Sequence, residues 1–393
     1  MSKSFQPPSR ILMGPGPSDV NPRILEALSR PTIGHLDPVF IELMDEIKSL
    51  LQFAFKTNNT LTLPISAPGS AGMEACFVNL LSPGDKVIVA QNGVFGGRMK
   101  ENVERLGGQA IMVQDEWGMP VNPQKVEDAL KTNSDVKALA FVHAETSTGA
   151  RSDAKTLCTL AKKYDCLTIV DAVTSLGGIE LDVDDWGADA VYSGTQKCLS
   201  CVPGISPVTF SETAQKIIKS RVQPVQSWFL DMDLVMGYWG KNTQRAYHHT
   251  APINALYALH ETLLILKEEG LNNAWNRHQF HHRALAAGLE ALGINFVVDS
   301  EYRLPQLNCV NIPDGADDAA VRKSLLNDFN LEIGAGLGPL AGKVWRIGLM
   351  GYAANQRNVL FCLDALEKTL SKQNVLTYKG VAAKAAENLY KLS

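Results

Sequence analysis

Two residues of this 393-residue chain are placed to do covalent chemistry together: Lys197, closing the run Ser193-Gly194-Thr195-Gln196-Lys197, and Asp171, closing Thr168-Ile169-Val170-Asp171. A lysine amine condenses with an aldehyde as a Schiff base. A carboxylate beside a pyridine nitrogen keeps that nitrogen protonated, so that the ring accepts electrons from a substrate carbanion. These are the two requirements of pyridoxal phosphate (PLP). The 26 residues from Asp171 to Lys197 leave room for one strand, a connection and a second strand. Neighbouring strands of that kind bring both side chains to one edge of an open sheet, where such folds bind ligands.

The elements that must position this pair follow from hydrophobic periodicity. Apolar residues recur at helical spacing over Pro38–Phe55, and Leu61–Ile65 reads as a strand. The turn over residues 66–72, rich in Gly and Ser, opens a helix and makes an anion site from free N–H groups and the helix dipole. Strand and helix patterns then alternate at 86–90, 95–106, 138–143 and 167–170, which predicts an α/β fold with a largely parallel sheet between helices. Past Leu256 the pattern changes to helices over 255–269 and 275–292, strands at 296–298, 308–312 and 345–348, and a helix over Asp318–Phe329. This is a smaller α+β unit. The expected division is an extended N-terminal arm over 1–22, where Pro7 and Pro8 disfavour helix, a large domain over 23–268, a small domain over 269–377 and a tail over 378–393 that could form a surface helix.

Composition narrows the function classes. A hydrophobic fraction of 45% with 20% charged residues is that of a globular enzyme. A net charge of −4 and a pI near 6.1 offer no basic face, so nucleic acid is not an expected partner. No apolar run approaches the ~20 residues of a spanning helix, the N-terminus lacks a signal-peptide core, and the final Lys-Leu-Ser is not a peroxisomal address. No membrane association is expected. Seven cysteines, an odd and small number, point to a reduced, cytoplasmic protein. Cys198 and Cys201 form a C-x-x-C with no second pair to complete a metal site, so they read as structural and no metal is expected. His278, His281 and His282 read as a solvated helical face. The glycines of Gly334-Ala335-Gly336-Leu337-Gly338 lack the βαβ context of a dinucleotide fingerprint.

Seven ordered stretches carry a resemblance: MGPGPSDVNPRI, NGVFGGR, HAETSTG, VDAVTSLGG, YSGTQKCL, AYHHTAP and WRIGLMGY. Over residues 11 to 369 the chain resembles the class V aminotransferases of PLP fold type I, especially alanine-glyoxylate and serine-pyruvate aminotransferases. The resemblance implies a seven-stranded, mostly parallel sheet, a smaller C-terminal domain, and a homodimer with each active site at the interface. It makes Lys197 the Schiff-base lysine, Asp171 the partner of the pyridine nitrogen, and Thr146 the partner of the phenolic oxygen. Gly69, Ser70, Ala71 and Gln196 fall at the cofactor phosphate, and Tyr247 and Thr250 complete that phosphate site across the interface. Phe95 stands where mammalian members carry a tryptophan stacked on the ring, and Ser70 where they carry a histidine. Arg346 matches the arginine that grips the substrate carboxylate with its bidentate fork.

The implied reaction passes the amino group of a small amino acid, alanine or serine, to glyoxylate, giving glycine and a keto acid. Serine-pyruvate and serine-glyoxylate exchange are the nearest alternatives, and the lack of an evident second arginine for a distal carboxylate favours alanine or serine over glutamate. Three rivals stand beside it. A cysteine desulfurase would need a reactive cysteine on a loop, whereas Cys309 and Cys362 lie in strand-like and helix-like contexts. An NAD-dependent oxidoreductase rests on the glycine cluster alone. A non-catalytic binding role leaves Lys197, Asp171 and Arg346 without a common reason.

Overall fold

A computed structural model describes residues 3–240 and 245–391. The ends of the expected arm and tail, residues 1–2 and 392–393, lie outside the described residues. The larger domain is organised by a seven-stranded sheet of β1 (Leu61–Ile65), β2 (Lys86–Gln91), β3 (Gln109–Gln114), β4 (Val136–Val142), β5 (Leu167–Asp171), β6 (Ala190–Tyr192) and β7 (Ser206–Phe210). Its order is β1-β7-β6-β5-β4-β2-β3, and every pairing is parallel except those of β7 with β1 and β6. The parallel strands are apolar on both faces, as a sheet covered by helices on both sides requires: Ile169, Val170, Ala190 and Val191 are fully buried. Each buried Ile or Val side chain contributes about 1.5–3 kcal/mol. β7 was not anticipated from the sequence, and Pro207, the second of its five residues, argues against a central strand. There the proline carbonyl accepts from Ser193 N at 2.8 Å.

Helices α1 (Pro38–Phe55), α2 (Gly69–Leu80) and α3 (Val94–Arg105) belong to this core, as do α4 (Ile253–Glu269) and the start of α5 (Leu271–Ala291). The ends of α1 are set locally. Asp37 caps its N-terminus through Val39 N, Pro38 occupies the first turn, and Lys56 closes it in the left-handed region at φ 50°.

A second core gathers the rest of α5, α6 (Gln356–Lys372), α7 (Val381–Lys391) and an antiparallel sheet, β8-β10-β9, of β8 (Leu307–Asn311), β9 (Gly334–Ala335) and β10 (Val344–Gly348). The glycine cluster therefore supplies a strand of an antiparallel sheet, not the turn of a dinucleotide fold. Residues 296–298 make one isolated bridge, Phe296 with Val310, instead of a strand. The N-terminal arm joins this core, since Ile11–Leu12 pairs in parallel with Leu331–Glu332.

The expected tail helix forms, and one expectation, the solvated face of the α5 histidines, is corrected. The tail segment is a docked helix, with Ala382 and Ala386 fully buried. Glu367 of α6, itself buried, accepts from Lys379 N at 2.9 Å and Ala382 N at 3.2 Å and so caps α7. Gly288 on α5 allows the close approach, because a Cβ there would lie 2.9 Å from Ala382 O. The histidines of α5 are covered instead of solvated, His281 by α7, His278 by the turn at Gly351 and His282 by β8. His278 Nε2 accepts from Gly351 N at 2.9 Å, His281 Nδ1 lies 2.8 Å from Tyr390 Oη of α7, and His282 Nδ1 lies 2.6 Å from Asn308 Oδ1.

Burial lowers the pKa of His281 to about 4 and that of His278 to about 3, from an ordinary 6.5. The folded chain then binds fewer protons than the unfolded chain between these values, so this contribution to stability is lost as pH falls below 6.5. A His281→Gln variant should lose less unfolding free energy than the wild type between pH 7 and pH 5, by about 2 kcal/mol. Urea unfolding at the two pH values measures the difference.

Candidate active site

Five loops converge on one edge of the large sheet because five strands run in the same direction. The turn after β1, the segment after β2 that opens α3, the loop after β4, the end of β5 and the loop after β6 all emerge at carboxyl ends, where open α/β sheets bind ligands. The register is explicit: Val142, Asp171 and Tyr192 form one row across β4, β5 and β6. Asp171 is thus level with the start of the two loops that carry Thr146 and Lys197.

Asp171 is 3% exposed and lacks an ion-pair partner among the described residues. Burial pushes its pKa up to about 6, against the opposing effects of Val173 N and Tyr192 Oη, which donate to the carboxylate at 2.8 and 2.7 Å. The group is therefore ionised at pH 7. Lys197 behaves in the converse way: burial, with the nearby Arg346 charge second, lowers its pKa to about 8. Its amine donates to Pro15 O of the N-terminal arm. Gly16 makes this approach possible, because at φ 105° it sits where a Cβ would meet Lys197 Nζ at 2.7 Å. Ser18 fixes the backbone behind the lysine, with its N donating to Gln196 O at 2.9 Å and its Oγ to Lys197 O at 2.7 Å.

Arg346 reaches the same edge from β10 of the small domain. It is buried, and its Nε donates to Ala335 O at 2.7 Å and its Nη1 to Thr146 O at 3.2 Å. Two carbonyls use only part of the fork, which leaves donors for a carboxylate. Desolvation draws its pKa below the ordinary value. Thr146 is buried, its Oγ1 2.7 Å from Thr174 Oγ1. Phe95, in the first turn of α3, is half-buried with the Arg98 guanidinium 4.7 Å from its ring centre.

Gly69, Ser70 and Ala71 form the first turn of α2, whose N-cap is Pro68 and carries no side-chain cap. Gly69 lies against Ser193 and Gly194, so close that a Cβ added to it would sit 3.4 Å from Ser193 O. The Gln196 amide oxygen is buried without a hydrogen-bond partner. An uncapped helix N-terminus, a desolvated lysine and a shielded carboxylate suit an anionic, aldehyde-bearing pyridine such as PLP. Tyr247 and Thr250 are not brought to this cradle. They pair with each other at 3.4 Å, Tyr247 is 59% exposed, and among the described residues neither bonds to Gly69, Ser70, Ala71 or Gln196. Within the same segment it is His249 that reaches the loop after β1, 2.7 Å from Ser66 Oγ.

Several contributors were missed by sequence reasoning. Tyr192, Pro15, Gly16 and Ser18 lie inside quoted motifs yet had no assigned role, and Arg98 supplies a second guanidinium at the edge that the sequence did not reveal. A buried Tyr one residue before a polar loop was the available signal for Tyr192. All seven cysteines are free and buried. Burial lifts Cys309 and Cys362 to about 12 and Cys198 and Cys201 to about 12 and 11, so none is poised as a thiolate. A cavity of about 840 Å³ lies behind the Lys197 loop against Cys198, Ser200, Asp19 and Arg277. Its wall includes none of Lys197, Asp171, Thr146 and Arg346, so chemistry and not volume identifies the site.

Comparison with known proteins places the chain in a family. The family model described as aminotransferase class-V matches residues 27–365. The solved ureidoglycine-glyoxylate aminotransferase of Bacillus subtilis superposes with a TM-score of 0.96 at 39% identity, covering 99% of this chain and all of that one. The solved alanine-glyoxylate aminotransferase of Nostoc gives a TM-score of 0.92 at 45% identity over 94% of this chain and 97% of its own. The alanine-glyoxylate aminotransferase of Rattus norvegicus is 39% identical over 94% of this chain and 90% of its own length.

Tyr192→Phe removes one of the two donors that hold Asp171 charged. The variant should be less stable by about 1–3 kcal/mol, the cost of an unpaired buried acceptor. In an Asp171→Asn background the same change should cost clearly less, because the charge is gone; urea unfolding of the four proteins measures the coupling.

Proposed function

The chain belongs to the class-V aminotransferases, PLP-dependent enzymes, and from this premise we propose that it moves the amino group of a small amino acid, alanine in preference to serine, onto glyoxylate. The observation that carries the reading is the single edge on which a desolvated lysine, a carboxylate shielded by Tyr192 and a partly unsatisfied arginine meet. The relatives named for glyoxylate support the acceptor. A second donor, ureidoglycine, is favoured by the likeness to the Bacillus subtilis enzyme.

When bound, PLP supplies an aldehyde that exchanges amines and a protonated ring that draws the electron pair left by a departing α-proton. The residues do the rest. Lys197, with its pKa lowered to about 8, is partly neutral near pH 7.5 and can take a proton from the substrate Cα and return it. Its hydrogen bond to Pro15 O holds the amine in place before it acts. Asp171 would offer its negative charge to the ring nitrogen, and Tyr192 and Val173 N fix the carboxylate's orientation. Arg346 binds the substrate carboxylate with the donors left free by Ala335 and Thr146. Thr146 Oγ1 would serve the phenolic oxygen, Phe95 would cover the ring, and the α2 N-terminus with Gln196 would hold the phosphate.

We further read the active unit as a homodimer. Tyr247 and Thr250 stand exposed, and exposed Trp228 stacks on His248 of the same segment, which fits a surface covered by a second copy that receives Tyr247 and Thr250 at its phosphate. The seven free cysteines favour a reducing, cytoplasmic setting. No helix among the described residues is long and apolar enough to cross a membrane.

Two measurements test this. Purified protein with PLP and glyoxylate, offered alanine, serine and ureidoglycine in turn, should form glycine fastest with alanine; a faster reaction with ureidoglycine would favour the second donor, and no glycine with any donor would reject the reading. For the dimer, an inactive Lys197→Ala protein is mixed with a Tyr247→Phe, Thr250→Ala protein under subunit exchange. Each heterodimer should then contain one intact site and recover roughly half of wild-type activity, as expected of an isologous dimer. Exchange without recovery would place the phosphate site within one chain.

A further inference from the structure

Glu145 is a buried carboxylate at this edge to which the proposed reaction gives no task. It is fully buried, and among the described residues it forms no ion pair. Its contacts are nevertheless specific. Ser147 donates to Oε1 twice, from N at 2.9 Å and from Oγ at 2.6 Å, and Phe95 N lies 3.4 Å from Oε2. The same Ser147 Oγ accepts from Val94 N at 3.0 Å.

Val94 and Phe95 are the first two residues of α3, and the N-cap of that helix is Gly93, which has no side chain to cap with. Helix N-termini leave N–H groups that need acceptors, and a carboxylate there gains from the helix dipole as well. Glu145 and Ser147, from the loop after β4, meet that need from another part of the chain. Glycine at 93 is what admits them: a Cβ there would fall 2.5 Å from Ser147 Oγ and collide with the Glu145 carboxyl. The adjoining residue, Thr146, has its carbonyl held by Arg346. One short loop thus ties the ring-covering helix to the segment held by the carboxylate-binding arginine.

We infer that Glu145 is a positioning residue: its carboxylate caps α3 from the loop after β4 and thereby sets Phe95 over the cofactor ring. The inference rests on the aminotransferase reading above. Burial supports a role beyond solubility, since it lifts the Glu145 pKa to about 7, with Asp171 adding to the rise and Ser147 and Phe95 N opposing it. A carboxylate kept in so unfavourable a place is retained by what it holds.

The test uses Glu145→Gln, whose amide cannot accept from every donor that the carboxylate serves. In the cofactor-free protein, hydrogen exchange at Val94 and Phe95 should accelerate about tenfold, the scale of a lost helix cap, while β5 keeps its protection. The Kd for PLP, from quenching of protein fluorescence, should rise by a similar factor, and circular dichroism of the bound cofactor band should change in amplitude. In a Phe95→Ala background, Glu145→Gln should change the PLP Kd no further. Unchanged amide exchange and Kd, or an equal loss of affinity in the Phe95→Ala background, would overturn the proposal. Should Glu145→Gln fail to fold, Ser147→Ala removes the Val94 bond and the hydroxyl's bond to Glu145 while leaving Ser147 N and Phe95 N on the carboxylate, and should give the same pattern at smaller size; wild-type exchange and affinity in that variant would equally overturn it. Wild-type protein that takes up no PLP would overturn the aminotransferase reading itself, and the proposal with it, before any variant is compared.

Discussion

Keeping a charge on Asp171 where burial opposes it is the constraint on which the site is built. A carboxylate this far from solvent gains a proton unless donors hold it ionised, and its two donors come from different origins. Val173 N is local, two residues on in the same chain segment. Tyr192 comes from the neighbouring strand, and reaches Asp171 because the parallel pairing of β5 and β6 sets the two residues level. The sheet is therefore part of the electrostatics. A slip of one residue in that pairing would turn Tyr192 to the opposite face and leave the carboxylate half-served.

The opposite demand is made of Lys197, which must lose charge instead of keeping it. The desolvation that does this comes from outside the sheet. The N-terminal arm lays Pro15 and Gly16 against the amine, and the small domain brings up Arg346, whose positive charge adds to the fall in pKa. Arm and small domain are joined to each other through the pairing of Ile11–Leu12 with Leu331–Glu332. A movement of the small domain would accordingly alter the carboxylate grip and the lysine together.

Local order was readable wherever neighbours in the chain determine it. Pro38–Phe55, Leu61–Ile65 and Asp318–Phe329 have the bounds their periodicity suggests, because apolar spacing, N-caps and turn glycines act over a few residues. Lys197 and Asp171 were legible for a related reason: each follows a short apolar run that can only be a buried strand, and their chemistry is distinctive by residue type. β7 was not legible, since its proline argues against a strand until the pairing around it is known.

What the sequence by itself determined is the alternation of strands and helices, the class of chemistry and the side chains that could perform it. What only the tertiary structure decided is which groups share low-dielectric space. His281 looks solvated until α7 covers it, Tyr192 looks like a strand aromatic until it meets Asp171, and Glu145 is one more acidic residue until Gly93 lets it reach the start of α3. Hydrogen bonding and desolvation act over a few ångströms in space, between residues that are 21 positions apart for Tyr192 and Asp171 and 182 apart for Lys197 and Pro15. Periodicity carries no record of such pairs, and they come into being when the chain closes.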